Sequence, residues 1–323
     1  MNSCELDALD IGILKILLAN NGVPPGVPVF RKSFRSMAKE LRVDQATIRS
    51  RMKRFQEQRI LKGWYLGVSP ALSGHAVVEA WLSVENELAK GKLMERLLAD
   101  RNLERVCNYL GPRVSFVLFC RQRTNPDSAI QRLAKIAGPG AALHKQGIVR
   151  LPAYSPREID MAIISSLRRD PWKSFSTVAK ELGISAKTVK RRVARLTEDG
   201  AIYMLPIIDL KALQGIIPVE LVVSYASGES KTGVNERIVS HLREGLVFSD
   251  SSGPHGYFAL IVPNVSHVEQ IASWVKQQGG VSEVHVSVLL DVVLNRSHYE
   301  RWPLHGRQGF RREKAMELPR VTR

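Results

Sequence analysis

Two basic stretches hold the residues whose types and spacing could do chemistry in this sequence. In the first, from Gln45 to about Gln58, Ile48, Met52 and Phe55 fall on one helical face and Arg49, Arg51, Lys53 and Arg54 on the other. In the second, Val189, Val193 and Leu196 face inward, while Lys187, Lys190, Arg191, Arg192 and Arg195 face out. Each stretch follows a short amphipathic segment and a tight turn. Asp44 is placed to cap the first helix and Ser185 the second, and Gly183 can adopt positive φ in the second turn. Two short helices joined by a tight turn, the second of them basic, have the geometry that enters a DNA major groove. Gln45, Thr47, Arg49 and Ser50 are the candidates for base edges or nearby phosphates in one half-site, and Lys187, Thr188, Lys190 and Arg191 in the other. Arg51, Arg54, Arg192 and Arg195 suit either phosphates or holding the helix through salt bridges, because phosphate contacts position while base contacts specify.

The whole chain agrees with a polyanionic partner. Its 323 residues carry a net charge of +16, and part of the excess lies between Arg296 and Arg323. Other chemistry finds little support. There is no glycine-rich phosphate loop, no His/Cys metal spacing and no nucleophile elbow, so neither a cofactor nor a metal is expected. Three cysteines, Cys4, Cys107 and Cys120, make an odd count, which argues against a disulfide scaffold; the last two lie in strand patterns as core thiols. No apolar run approaches a membrane span and no signal pattern opens the chain, so a cytoplasmic protein is expected.

These helices belong to a longer unit that occurs twice. Lys32 to Leu61 aligns without a gap on Lys173 to Ile202 at an offset of 141 residues, with Lys32-Ser33-Phe34, Ala38-Lys39-Glu40-Leu41, Thr47, Arg51 and Arg54 repeated identically. Downstream, Gly111-Pro112-x-x-x-Phe116 recurs as Gly253-Pro254-x-x-x-Phe258. Upstream, Leu9-Asp10-x-x-Ile13-Leu14 recurs as Ile159-Asp160-x-x-Ile163-Ile164 at an offset of 150. The first copy therefore holds about nine extra residues, placed in the Pro/Gly-rich loop from Asn20 to Phe30.

Trp64-Tyr65-Leu66 and Tyr203-Met204-Leu205 read as wing strands or a bridging hairpin. Beyond them each copy alternates strands and helices. His75 to Val84, Leu103 to Leu110 and Val114 to Cys120 read as strands, with Gly91 to Ala99 and Asp127 to Ala137 as helices. In the second copy Ile217 to Tyr225, Leu246 to Ser249, Tyr257 to Val262 and Val281 to Leu290 read as strands, with Asn235 to Leu242 and Val268 to Gln277 as helices. The order β-α-β-β-α-β is the ferredoxin-like arrangement. It leaves one sheet face to be covered by the matching sheet. The expected fold class is thus α+β, with two winged helix-turn-helix domains (1–65 and 153–205), each followed by a ferredoxin-like domain (66–152 and 206–294), and a basic tail at 295–323. One chain then forms an internal pseudo-dimer with two non-identical reading helices.

The repeated blocks resemble the leucine-responsive regulator/AsnC family. The resemblance rests on Leu9-Asp10-x-x-Ile13-Leu14, Ala179-Lys180-Glu181-Leu182-Gly183-Ile184-Ser185, Thr188-Val189-x-x-Arg192-Val193-x-Arg195-Leu196 and Gly200-Ala201-Ile202. It departs in the first copy, where Arg42 replaces the turn glycine and the loop is inserted. The resemblance implies a transcriptional regulator that is not an enzyme, with double-stranded DNA as partner, a small-molecule effector as a further candidate partner, and pairing through the effector sheets, including homo-oligomers. Family effector sites commonly carry a glycine followed by an acidic residue. Here the loops offer Gly111 and Arg113, and Gly253 and His255, without the acidic residue. Two other functions fit this architecture. One is a tetrapyrrole (siroheme-type) decarboxylase, for which the scattered histidines give little support. The other is an architectural protein coating DNA with little sequence preference.

Overall fold

A computed structural model describes residues 5–19, 30–73, 75–100, 102–121, 126–138, 140–149, 156–228, 230–251 and 253–295. The tail from Arg296 to Arg323, the loop from Asn20 to Val29 and Cys4 lie outside the described residues.

The elements run in the same order twice. The first set is α1 (Ala8–Ala19), α2 (Phe34–Leu41), α3 (Gln45–Glu57), β1 (Leu61–Val68), β2 (His75–Val84), α4 (Glu87–Leu98), β3 (Leu103–Tyr109), β4 (Arg113–Arg121), α5 (Pro126–Ala137) and β5 (Ala141–Val149). The second is α6 (Glu158–Arg169), α7 (Phe175–Leu182), α8 (Ala186–Glu198), β6 (Ile202–Ile208), β7 (Ile217–Tyr225), α9 (Lys231–His241), β8 (Leu246–Asp250), β9 (Gly256–Val262), α10 (Val265–Lys276) and β10 (Val281–Leu294). Helix α4 begins four residues before the sequence expectation because the Asn86 side chain accepts from the Ala89 amide at 2.9 Å and starts the helix there.

The wing strands of the two copies pair with each other. β1 runs antiparallel to β6 with Tyr65 opposite Leu205 and Trp64 opposite Pro206. Trp64 and Leu205 occupy matching positions of the repeat, so the ladder has an approximate two-fold axis between these pairs. The ladder also interlocks the hydrophobic cores. Leu66 and Val68 of β1 pack with Ile163, Leu167, Val193 and Leu196 of the second copy. In the other direction, Ile216, Val247 and Ile261 of the second copy pack with Ile13, Leu17, Ile48 and Phe55 of the first.

The remaining strands form one antiparallel sheet of eight, in the order β5-β2-β4-β3-β10-β7-β9-β8. The sequence led us to expect each sheet to cover the open face of the other. The two also share an edge, because β10 is long. Its first part pairs with β7 from Val281 to Val288, and its last part pairs with β3 from Leu289 to Leu294 after an irregularity at Leu289/Asp291. This extension past Leu290 was not legible from periodicity, since its reason is a partner strand in the other copy. The helix-facing sides hold separate cores. Val78, Ala80, Leu82, Val106 and Phe116 pack with Leu93 and Leu97, and Val219, Leu221, Phe258 and Leu260 with Val234, Ile238 and Val275. No described helix is long and apolar enough to cross a membrane.

Candidate nucleic-acid interface

The helix-turn-helix geometry is built by local hydrogen bonds that the sequence dictates. Ser33 and Ser174 cap α2 and α7, each accepting from the amide three residues on at 3.1 Å. Both helices end on a left-handed residue, Gly183 at φ 65° and Arg42 at φ 55°. The second copy uses the residue type without a Cβ penalty, and the first places an arginine in the same conformation. Asp44 then caps α3, accepting from the Thr47 amide at 2.8 Å and the Thr47 hydroxyl at 3.0 Å, which holds its carboxyl below the usual carboxylate range. Ser185 does the same for α8, bonded to the Thr188 amide at 3.1 Å and facing the Thr188 hydroxyl at 2.9 Å. Thr47 and Thr188, expected at base edges or phosphates, thus have their hydroxyls engaged by the caps.

The exposed faces separate the remaining candidates into two groups. Gln45, Arg49 and Ser50 on α3, and Lys187, Lys190 and Arg191 on α8, are exposed. None of the four cations among them forms an ion pair with a described residue. Arg51, Arg54 and Arg192 turn back into the protein. Arg51 bonds Asp7 at 2.6 Å and Asp10 at 3.1 Å, and Arg54 also bonds Asp10, whose side chain is fully buried. Arg192 reaches Asp160, 5% exposed, at 3.3 Å. Of the two roles open to these arginines, the structure gives them the second, tying the reading helix to the first helix of its unit. A buried carboxylate needs such partners, since it would otherwise sit unpaired at low dielectric. Arg195 is different. It remains exposed and pairs with Asp199 one turn on, at 3.5 Å.

The two reading faces are therefore unequal. On α8, Lys187, Lys190 and Arg191 project without an ion pair to any described residue, with Arg195 beside them. On α3, Arg49 stands with Lys53, itself paired with Glu57 at 3.6 Å.

The candidate effector loops contain a feature that the sequence reading missed. Lys90, buried at the start of α4, donates to the Tyr109 carbonyl at 2.9 Å and to the Gly111 carbonyl at 2.6 Å. Lys231, at the matching position 141 residues on, donates to the carbonyls of Ser251 and Gly253. The carbonyls of both loops are thus bonded by the chain's own ammonium groups. Arg113 approaches Ser287 Oγ at 3.5 Å, and His255 Nδ1 lies 3.4 Å from Ser224 Oγ. The repetition of Lys90 and Lys231 at the repeat offset was the available signal, but nothing local marked them as bonded to loop carbonyls.

A polar cluster lies where the two halves of the large sheet meet. Tyr109 of the first half and Tyr257 of the second both donate to Glu220, and Tyr109 also lies 2.7 Å from Ser115 Oγ. Glu79, at the position matching Glu220, lies 3.8 Å from Arg105, which also pairs with Glu104 at 2.9 Å. Burial raises the Glu79 carboxyl to about 7; Arg105 opposes this, and the nearby Asp250, Glu220 and Glu104 add to it. Burial also pushes the Cys107 thiol up to about 12.

Comparison with known proteins agrees with the geometry of the second unit. Residues 158–197 match the family described as the AsnC-type helix-turn-helix domain. An HTH-type transcriptional regulator of Methanocaldococcus jannaschii is 37% identical over 73 residues, 23% of this chain. The match spans 43% of that relative's length. Among solved structures, the siroheme decarboxylase NirDL superposes with a TM-score of 0.50 at 12% identity, over 91% of this chain and 96% of its own. AsnC of E. coli, 20% identical, covers 48% of this chain and 98% of its own with a TM-score of 0.30. Fold and helix geometry define the class as a helix-turn-helix protein. Within it, the chain carries an AsnC-type helix-turn-helix domain at residues 158–197.

Proposed function

We propose that the chain is a sequence-specific transcriptional regulator of the Lrp/AsnC type that binds double-stranded DNA as an internal pseudo-dimer. The observation that carries this reading is the pair of helix-turn-helix units joined through the β1–β6 ladder, each turning a basic helix face to solvent. The AsnC-type match of the second unit and the regulator relative support it. Because α3 and α8 present different residues, the DNA site has two unlike halves, free of the palindrome that a symmetric dimer imposes. Any small-molecule effector would act through contacts other than the loop carbonyls held by Lys90 and Lys231, and further association of chains would use surfaces outside the internal pair.

The same reading holds that the chain is not an enzyme. What supports it is that the polar groups between the sheet halves are spent on each other, with Glu220 bridging Tyr109 and Tyr257. A tetrapyrrole decarboxylase reading draws on the fold shared with NirDL. Titrating the purified protein with an iron tetrapyrrole tests it, since a saturable absorbance change would favour the decarboxylase. Genome-wide footprinting of the bound DNA tests the main reading. Discrete, non-palindromic two-part sites are expected. Uniform coverage would instead mark a DNA-coating protein, and no protection would refute DNA binding.

A further inference from the structure

The inserted stretch of the first copy ends in the second copy. Phe30 is 7% exposed and belongs to the core that contains Ile163, Leu167, Val178 and Val189 of the second helix-turn-helix unit. Arg31 follows it across the seam. Its Nη1 donates to the Lys173 carbonyl at 3.0 Å, and its guanidinium carbon lies 5.0, 5.6 and 5.1 Å from the ring centroids of Phe30, Trp172 and Phe175. Nε and Nη2 are shut off from solvent and make no hydrogen bond, so stacking on the rings and one carbonyl hold the group. Burial lowers its affinity for a proton to about 10, and Asp170 opposes that shift. Trp172 in turn lies edge-on to Trp64, 5.2 Å between centroids at 75°, and 6.5 Å from Phe34.

Arg31 and Trp172 occupy matching positions of the repeat, 141 residues apart. They meet near the approximate two-fold axis, where a symmetric dimer would set each residue against its own copy. Two arginines there would repel, whereas an arginine against a tryptophan attracts. The seam thus favours a first copy meeting a second over two first copies meeting each other.

We infer that Arg31 and Trp172 are positioning residues that fix the separation and rotational phase of α3 and α8, so that the chain accepts DNA half-sites at one spacing. This rests on the DNA-binding reading above. The β1–β6 ladder and the cores it interlocks already join the units. The Phe30–Arg31–Trp172 contact adds a further attachment, from the segment ahead of α2, that stiffens their relative orientation. Shifting one half-site by two base pairs turns it by about 70° about the duplex axis, which a rigid pair cannot follow.

The experiment uses the full chain and a pool of duplexes that carry its two half-sites with spacers of varied length. Wild type should prefer one spacer over those two base pairs longer or shorter by about tenfold. Arg31→Ala and Trp172→Ala should reduce that preference to less than about threefold, while binding to an isolated α8 half-site stays unchanged. Arg31→Lys, which keeps the charge but loses the planar fork, should fall between. Trp172 is 40% exposed, so its replacement leaves the core in place. Folded variants that keep the wild-type spacer preference would overturn the inference. So would a wild type that binds duplex DNA at every spacing, and in that case the regulator reading survives. A wild type that binds no duplex at all overturns both.

Discussion

Replacing Lys190 and Arg191 together with alanine removes two exposed cations of α8 that form no ion pair with a described residue. Each phosphate neutralised by a bound protein contributes about −0.9 to the slope of log K against log salt on duplex DNA. If both side chains meet phosphates, the slope should become shallower by about 1.8. Over a fourfold rise in salt, from about 50 to about 200 mM, wild type should then lose about twelvefold more affinity than the double variant. The fold should be indifferent, because surface substitutions away from buried networks usually stay within about 0.5 kcal/mol. Fluorescence anisotropy with a labelled duplex at four or five salt concentrations gives the slope directly. Arg192→Ala is the internal control. It lies one residue further along the same helix but is spent on Asp160, so it should lower stability and leave the slope nearly unchanged. A double variant whose slope differs from wild type by less than about 0.5 would refute the assignment of α8 to the DNA backbone.

Asp10→Ala leaves Arg51 and Arg54 without their shared buried partner, and should destabilise the first helix-turn-helix unit by about 2–4 kcal/mol, a little under the cost of breaking a fully buried pair because both arginines are a quarter exposed. Hydrogen exchange at the amides of α1 and α3 reads this locally, and protection equal to wild type would count against it. Arg42→Gly should stabilise the same unit by up to about 1 kcal/mol, since a residue at φ 55° gives way to one without a Cβ; a loss of stability would show that the arginine side chain outweighs the strain. The Glu79 carboxyl, raised by burial to about 7, keeps its proton in the folded state where the unfolded chain has lost it, so stability should fall as pH rises from about 4.5 to about 7, by roughly 2–3 kcal/mol. Denaturant titrations across that range should show Glu79→Gln flattening the profile, and an identical profile would remove Glu79 as its cause. Cys107 and Cys120, both buried with thiols pushed up by burial, should resist iodoacetamide at pH 8 until the protein unfolds, as mass spectrometry of the native protein will show.

Much of this molecule was legible along the chain. The caps at Asp44 and Ser185, the left-handed Gly183 and the inward triads Ile48/Met52/Phe55 and Val189/Val193/Leu196 are local: they depend on neighbours three or four residues away, so spacing alone specifies them. The repeat carried the element order the same way, since two stretches with the same pattern fold the same way. What only the tertiary structure decided depends on partners far away in sequence. Arg192 and Arg195 look alike on a helical wheel, yet one is spent on Asp160 and the other stands at the surface, because only the position of α6 says where a buried carboxylate lies. Lys90, buried, and Lys231, half-buried, look like ordinary charges on a helix start until the carbonyls of a loop some twenty residues on are placed over them. The two basic helices keep their place, but their arginines divide between the exposed face and ties into the fold. The seam of Arg31 on Trp172 exists only because two copies of one pattern, joined in a single chain, meet near an axis where they are no longer the same.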